Sequence, residues 1–187
     1  MATAIPAKSE EHVQVRQPDD ADEAMGEVAH PADNAAAALH AVEDAKTRGN
    51  DLFRAGDMEG AIECYGEALS ILDAMQVYSP ALRSTLASNQ AQSFLKLERY
   101  QEAEERASAA IAADAANSKA IYRRGVARLK LSDARGALED LQKAVRLDPQ
   151  NREARTRCEE ARQLSEATPV NEREVAVATS ATAALGL

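Results

Sequence analysis

The amino-acid sequence predicts an all-α fold assembled from short antiparallel helices. Glycine accounts for only 8 of 187 residues and tryptophan is absent, whereas Ala, Leu, Glu and Arg dominate from Val42 onward, a composition typical of packed helices. Apolar residues recur at intervals of three and four in successive windows of about fifteen residues. A spacing of small residues that recurs after 34 positions indicates, in addition, a repeat architecture.

The windows are separated by residues that start or stop helices. Ser, Asn and Asp supply N-cap oxygens, and proline is tolerated at the first helical position because its missing N–H would be unpaired there. The separating pairs are Gly56-Asp57, Ser79-Pro80, Asn117-Ser118 and Asp148-Pro149. We therefore predict seven helices, near residues 42–55, 58–76, 80–96, 100–113, 118–130, 134–146 and 150–166.

The two ends of the chain differ from this helical middle. Residues 1–43 carry two basic and nine acidic side chains, a net charge of −7, whereas residues 44–166 carry 19 basic and 20 acidic ones. Because residues 1–40 mix prolines with acids and contain little apolar material, we predict a disordered acidic tail over 1–41. The Ala-, Thr- and Val-rich segment 167–187 is predicted to be a second disordered tail.

Internal repetition organises residues 42–166. Small residues keep one spacing in three copies: Gly49, Ala61 and Ala68; Ala91, Ala103 and Ala110; Gly125, Ala137 and Ala144. The second and third copies are 34 positions apart, but the first lies 42 positions before the second. The first hairpin is therefore predicted to be eight residues longer, between Ile71 and Arg83.

This spacing resembles the tetratricopeptide repeat, in which small residues let two helices pack closely. Pro149 stands at the family's closing proline position, and Asp73 and Ala115 replace that proline in the first two copies. The resemblance implies repeats near 42–75, 84–117 and 118–151, with a capping helix over 150–166. It also implies a right-handed α-solenoid whose concave surface is lined by the first helix of each pair.

Five polar residues fall on the first helices of the three copies. Lys46 and Asn50 lie one turn apart, as do Lys119 and Arg123, and Asn89 occupies the same repeat position as Arg123. Two like charges four residues apart cost a helix about 0.2–0.5 kcal/mol, a penalty that a bound anion would reverse. The alternative for each residue alone is an ordinary solvated side chain, and we expect Lys119 and Arg123 to face solvent when the groove is empty.

The five residues together resemble the carboxylate clamp of chaperone-binding tetratricopeptide-repeat proteins. That resemblance implies a co-chaperone whose ligand is the C-terminal Glu-Glu-Val-Asp peptide of the seventy- or ninety-kilodalton heat-shock chaperones. By the same resemblance Lys46, Asn50 and Asn89 meet the terminal carboxylate, Lys119 meets the Asp side chain, and Arg123 meets the upstream peptide. Ammonium groups supply charge, and amides donate hydrogen bonds without adding repulsion among the cations.

Three neighbouring residues complete the predicted peptide site. Phe53 lies three positions beyond Asn50, while Gln92 and Leu95 lie three and six beyond Asn89. They could form the apolar pocket for the ligand's Val and the residue before it, although a core position suits Phe53 nearly as well. Gln92 stands where many members of the family carry Ala, a difference that bears on which chaperone is preferred.

Two other classes of function compete with this interpretation. The chain could be a scaffold for an unrelated peptide, or the repeat portion of a prolyl-isomerase-like enzyme, because copies two and three look much like the C-terminal half of large immunophilins. No catalytic constellation is visible, and no metal or cofactor is expected. The three histidines, His12, His30 and His40, all lie in the predicted tail.

Composition narrows the partners and the compartment. The balanced charge and few aromatics of the repeat region argue against nucleic-acid binding. The sequence contains no run of 18 apolar residues, so it does not predict a membrane-spanning helix. Cys64 and Cys158 lack metal or disulfide spacing and are predicted to be reduced, packed thiols. With no recognisable targeting signal, we expect a cytoplasmic monomer.

Overall fold

The computed structural model describes residues 31–167, which form seven helices and no strand. The predicted all-α array of three hairpins and a final helix is confirmed. The predicted tails at 1–30 and 168–187 lie outside the described residues. The helices are α1 Pro31–Ala55, α2 Met58–Ala74, α3 Pro80–Lys96, α4 Tyr100–Ala113, α5 Ser118–Lys130, α6 Ala134–Leu147 and α7 Arg152–Ala167.

Helix α1 begins at Pro31, eleven residues before its predicted start. The prediction of disorder is therefore wrong for residues 31–41. The alanine-rich run that follows Pro31 has the highest intrinsic helix propensity, and proline is compatible with the first helical position. Ala38 and Val42, four residues apart, are both buried. The added turns therefore continue the apolar stripe of α1.

Each helix packs mainly on its neighbours in the chain. Helices α1 and α2, α3 and α4, and α5 and α6 form antiparallel hairpins, and α7 packs on α6. Helix α3 also contacts α5, and α5 contacts α7. Helices α3, α5 and α7, each the first of its pair or the final helix, thus lie side by side. No helix within residues 31–167 is long and apolar enough to cross a membrane.

The small residues permit the close approach within each hairpin. A Cβ atom added to Gly125 would lie 2.8 Å from Leu141 Cγ, and one added to Gly49 would lie 2.7 Å from Tyr65 Cε1. Real Cβ atoms do not approach this closely, so glycine is what allows both contacts. The alanines that share this spacing in the three copies are fully or almost fully buried: Ala61, Ala68, Ala91, Ala103, Ala110, Ala137 and Ala144.

The eight extra residues of the first hairpin extend one end of the array. Helix α2 has 17 residues against 14 in α4 and α6, and α3 has 17 against 13 in α5. The connection over 75–79 is one residue longer than that over 114–117. Because α2 and α3 run in opposite directions, both extensions lie at the end where α1 begins.

Helix starts follow the cap chemistry in most places. The side chains of Asp57, Asn117 and Asp133 each accept a hydrogen bond from a backbone N–H of the first turn. Ser79 makes no such bond, and Pro80 opens α3 instead. Local sequence therefore sets where these helices begin, and the small residues set how closely they pack.

Candidate peptide-binding groove

A pocket of about 150 Å³ opens where α1, α2, α3 and α5 meet. Five of the eight predicted site residues line it, together with Arg54 and Tyr65, which the sequence did not single out. The predicted residues that it brings together are Asn50, Phe53, Asn89, Gln92 and Arg123. These five come from three different helices, so the fold assembles them from positions far apart in the chain.

Asn50 is held by two hydrogen bonds to one oxygen. The Tyr65 hydroxyl donates to Asn50 Oδ1 at 2.8 Å, and Asn89 Nδ2 donates to the same atom at 3.4 Å. Burial raises the pKa of Tyr65, so its hydroxyl keeps the proton that it donates. The Asn50 amide nitrogen makes no hydrogen bond within residues 31–167, and it therefore remains a donor for an oxygen in the pocket.

Arg123 is a half-buried cation that lines this pocket. Its Nε donates to Gln92 Oε1 at 2.9 Å, and its Nη1 donates to Ser88 Oγ. No carboxylate of the described chain pairs with it. Burial lowers its pKa to about 10, which leaves the guanidinium charged at neutral pH. Arg123 is therefore only partly open to solvent, because α3 supplies two polar side chains that bond to it.

The two predicted lysines lie outside this pocket. Lys46 is one turn before Asn50 on α1, and Lys119 is one turn before Arg123 on α5, so each is displaced by about 6 Å along its helix. The Lys46 ammonium forms an ion pair with Glu43 and is 22% exposed. Lys119 is exposed, as expected, and makes no ion pair within the described segment.

Phe53 and Leu95 differ in their surroundings. Phe53 is half-buried, lines the pocket and packs against the core that contains Tyr65, so the core and pocket interpretations both apply to it. Leu95 packs against the cluster of Phe94, Ala103 and Ala127 and does not line the pocket. Contact between Leu95 and a ligand therefore stays a prediction.

Arg54, Tyr65 and Ser88 are the site residues that sequence reasoning missed. Tyr65 occupies the core position that Ala107 and Leu141 occupy in the other copies. A tyrosine at a core position usually requires a partner for its hydroxyl, and this was the available signal. Ser88 directly precedes Asn89 and is buried, and nothing local in the sequence indicates that it contacts α5.

The described residues contain no candidate metal site. No group of three or more His, Cys, Asp or Glu side chains within 31–167 could hold a metal ion. His40 forms a pair with Asp44, Nδ1 to Oδ2 at 3.2 Å, on the exposed surface of α1. His12 and His30 lie outside the described part of the chain.

The chain is similar in sequence to known tetratricopeptide-repeat proteins. Residues 118–151 match the family model of the tetratricopeptide repeat. The mouse FK506-binding protein-like protein is 41% identical over 108 residues, which cover 58% of this chain and 31% of that protein. The chain thus spans about a third of the length of the first curated relatives that it matches.

Two solved structures match most of the described helices. The first tetratricopeptide-repeat domain of Spaghetti (RPAP3), bound to the HSP90 peptide SRMEEVD, is 30% identical, has a TM-score of 0.58, and aligns over 68% of this chain and 95% of that one. The second such domain of human RPAP3, in complex with the HSP70 peptide SGPTIEEVD, is 32% identical with a TM-score of 0.56 and covers 71% and 98%.

Proposed function

Because this chain belongs to the tetratricopeptide-repeat family, we propose that it is a chaperone adaptor whose groove binds a peptide ending in Glu-Glu-Val-Asp. The observation that carries the proposal is Arg123, a half-buried guanidinium with no carboxylate partner in the described chain, beside the amides of Asn50 and Asn89. Leaving a partly desolvated charge without an opposite charge is costly, so such a group is best explained by an anion that binds it.

The arrangement can hold two carboxylates at once. Asn50 and Asn89 offer amide donors, and Lys46 on the same face of α1 adds charge, so these three suit the terminal carboxylate. Lys119, one turn from Arg123 on α5, suits the carboxylate of the Asp side chain. Arg123 then bonds the peptide upstream of its last residue.

Two features of the empty groove must change when the peptide binds. The Lys46–Glu43 ion pair has to open, and because Glu43 is 57% exposed, such a pair contributes only about 0–1 kcal/mol. Arg123 gains an anionic partner while its Nε still donates to Gln92. Phe53 and Gln92 line the same pocket, where the Val side chain fits.

The related structures support this class of ligand. The two RPAP3 domains bind peptides of HSP90 and HSP70 that share the ending Glu-Glu-Val-Asp. Such an ending presents a side-chain carboxylate and a main-chain carboxylate within a few ångströms, which matches the paired cationic and amide donors on α1, α3 and α5. We further propose that this chain acts in the cytoplasm as a monomer.

A second candidate is that the described array is the repeat portion of a larger, prolyl-isomerase-like protein. The 41% identity to the FK506-binding protein-like protein, of which this chain spans 31%, favours it. The groove would serve the same peptide in either case, because the clamp residues lie within the repeats. Scaffolding of an unrelated peptide remains the outcome if the acidic ending does not bind.

Calorimetric titration with two matched peptides tests the clamp. We expect the free-acid peptide to bind with a dissociation constant near 1 μM, about −8 kcal/mol. The same peptide with an amidated C-terminus loses one clamped carboxylate and should bind about 1.5–3 kcal/mol more weakly, roughly 10- to 150-fold. Arg135, an exposed arginine on α6, provides the control variant Arg135→Ala, which should bind like the unmodified chain. Equal affinity for both peptides would contradict the clamp.

A further inference from the structure

Arg54 lines the peptide-binding pocket but has no place among the five clamp residues. It lies on α1, one turn beyond Asn50 and two turns beyond Lys46, so these three side chains share one face of the helix. Among the residues that line the pocket, Arg54 and Arg123 are the two cations, because Lys46 and Lys119 lie outside it. The pocket itself therefore carries arginine charge from two helices, α1 and α5.

The hydroxyl of Tyr65 lies near both arginines. Burial raises the pKa of Tyr65, and the charges of Arg123 and Arg54 each act in the opposite direction. The same hydroxyl donates to Asn50 Oδ1 at 2.8 Å. Arg54 thus belongs to the same polar cluster as Asn50 and Arg123, which the proposed function assigns to the peptide.

The ion pair that Arg54 makes in the empty groove is weak. Within residues 31–167 its partner is Asp51, three residues earlier on α1. Arg54 is 71% exposed and Asp51 is 63% exposed. A pair between two side chains that are this exposed contributes little, because water competes for both. The guanidinium can therefore turn from Asp51 to a carboxylate in the pocket at small cost.

We propose that Arg54 binds the side-chain carboxylate of the first glutamate in the Glu-Glu-Val-Asp ending, which makes the groove selective for an acid at that place. The proposal rests on the function proposed above, because it requires that Lys46, Asn50 and Asn89 hold the terminal carboxylate. It adds to the five-residue clamp a subsite that reads the peptide upstream of its last residue.

The spacing of an extended peptide leads to this glutamate. Eight positions separate Lys46 from Arg54, a rise of about 12 Å along α1. In a peptide that runs along this face at about 3.3 Å per residue, the first glutamate lies about 10 Å from the terminal Asp. Alternate side chains of an extended peptide point the same way, so the first glutamate faces the same wall as the Val. With the Val beside Phe53, that wall continues to Arg54.

A cation at this position also has a purely local explanation. Arg54 lies in the last turn of α1, where the helix dipole favours a basic side chain whatever it faces. That explanation predicts an effect of Arg54 on helix stability and none on the choice of peptide. The two explanations therefore differ in a binding measurement.

A double-mutant cycle between protein and peptide tests the contact. The protein is the full chain or its Arg54→Ala variant, and the peptide is SRMEEVD or SRMQEVD, in which glutamine replaces the first glutamate. By calorimetry Arg54→Ala should bind SRMEEVD about three- to fivefold more weakly than the unmodified chain does. The two proteins should bind SRMQEVD equally well. Because Arg54 is exposed, its removal should not unfold the array.

Two controls locate the effect. The peptide SRMEQVD carries the glutamine at the second glutamate instead, and Arg54→Ala should weaken its binding as much as that of SRMEEVD. Arg48→Ala removes another exposed arginine of α1, which pairs with Glu67 of α2 at 2.5 Å, and it should leave the affinities for these peptides unchanged. Equal losses for SRMEEVD and SRMQEVD in Arg54→Ala, or no loss for either, would overturn the proposal.

Amidated peptides separate this contact from the clamp on which it rests. Amidating SRMQEVD removes a clamped carboxylate without affecting Arg54, so it should weaken binding as much as amidating SRMEEVD does. If amidation has no effect, the clamp is wrong and this proposal falls with it. If amidation weakens binding but Arg54→Ala treats SRMEEVD and SRMQEVD alike, the clamp stands and Arg54 acts only at the helix end.

Discussion

Helix α5 carries arginines on two faces. Those on one face pair with carboxylates, and the one on the other face does not. Arg124 and Arg128 both bond to Asp140, with distances of 2.7–2.9 Å, and Arg128 also bonds to Glu104 at 2.8 Å. Arg123, next to Arg124 in the chain, meets only the neutral side chains of Gln92 and Ser88. Arg124 and Arg128 thus have carboxylate partners within the fold, whereas Arg123 would gain one only from a bound anion.

The pKa values of Arg123 and Arg128, which lie on these two faces, shift in opposite directions. Burial lowers the pKa of Arg123 to about 10. Burial acts the same way on Arg128, but the hydrogen bond to Glu104 and the charge of Asp140 outweigh it and raise the pKa of Arg128 above its ordinary value. Cations of the first kind destabilise the empty protein and favour ligand binding, whereas cations of the second kind hold helices together.

Removing the shared carboxylate should have the largest effect. Asp140 is 4% exposed, and Asp140→Ala leaves Arg124 without its carboxylate partner and Arg128 with only one. We expect a loss of about 3–5 kcal/mol in the free energy of unfolding, measured by urea denaturation. The control Glu139→Ala, at an exposed position on the same helix, should cost less than about 0.5 kcal/mol. A loss below 1 kcal/mol for Asp140→Ala would mean that the pairing is not structural.

Truncating the unpaired arginine should separate binding from stability. Arg123→Ala removes a charge-assisted contact to the peptide and should weaken binding by about 2–3 kcal/mol, measured by calorimetry. Its free energy of unfolding should stay the same or rise, because a partly desolvated cation without a carboxylate is lost. Arg124→Ala should show the reverse pattern, with lower stability and unchanged affinity. The comparison fails if both variants lose stability equally.

Substituting Gly49 or Gly125 by alanine compares the peptide site with the ion-paired face of α5, because each glycine contacts one of them closely. In Gly125→Ala the added Cβ atom collides with Leu141, next to Asp140. In Gly49→Ala it collides with the ring of Tyr65. Overpacking should cost each variant about 1–3 kcal/mol of stability. Only Gly49→Ala should also weaken peptide binding, because displacing Tyr65 releases the Asn50 oxygen that it holds. Equal affinities in the two folded variants would show that Tyr65 does not position Asn50.

Lys119 should give the smallest effect. Its side chain is exposed and has water as a competing partner, so Lys119→Ala should weaken the peptide by about 0.5–1 kcal/mol. Raising the salt concentration should reduce this difference, because exposed charges are screened, while the effect of Arg123→Ala should persist. Calorimetry at two ionic strengths checks both. A salt-independent loss in Lys119→Ala would place this lysine in a dehydrated contact.

The sequence alone was sufficient for the repeat organisation. Gly49, Gly125 and the equivalent alanines are needed wherever two helices approach closely, so their spacing reveals the hairpins without knowledge of long-range contacts. Asn50, Asn89 and Arg123, which line one pocket, could be brought together from the sequence because repeat position determines which face of a first helix they share. The start of α1 does not follow from the sequence, because Pro31 fits an irregular tail and the first turn of a helix equally well.

What only the tertiary structure decided is the state of each charged group. Nothing near Arg123 in the chain distinguishes it from Arg124, since both lie in the same helical turn of a basic segment. Their difference arises from which distant side chains face them, Ser88 and Gln92 on α3 or Asp140 on α6. The role of Tyr65 depends likewise on Asn50, fifteen residues away. Such pairings are set by how helices stack, because desolvation and partner geometry exist only once the neighbouring helices are in place.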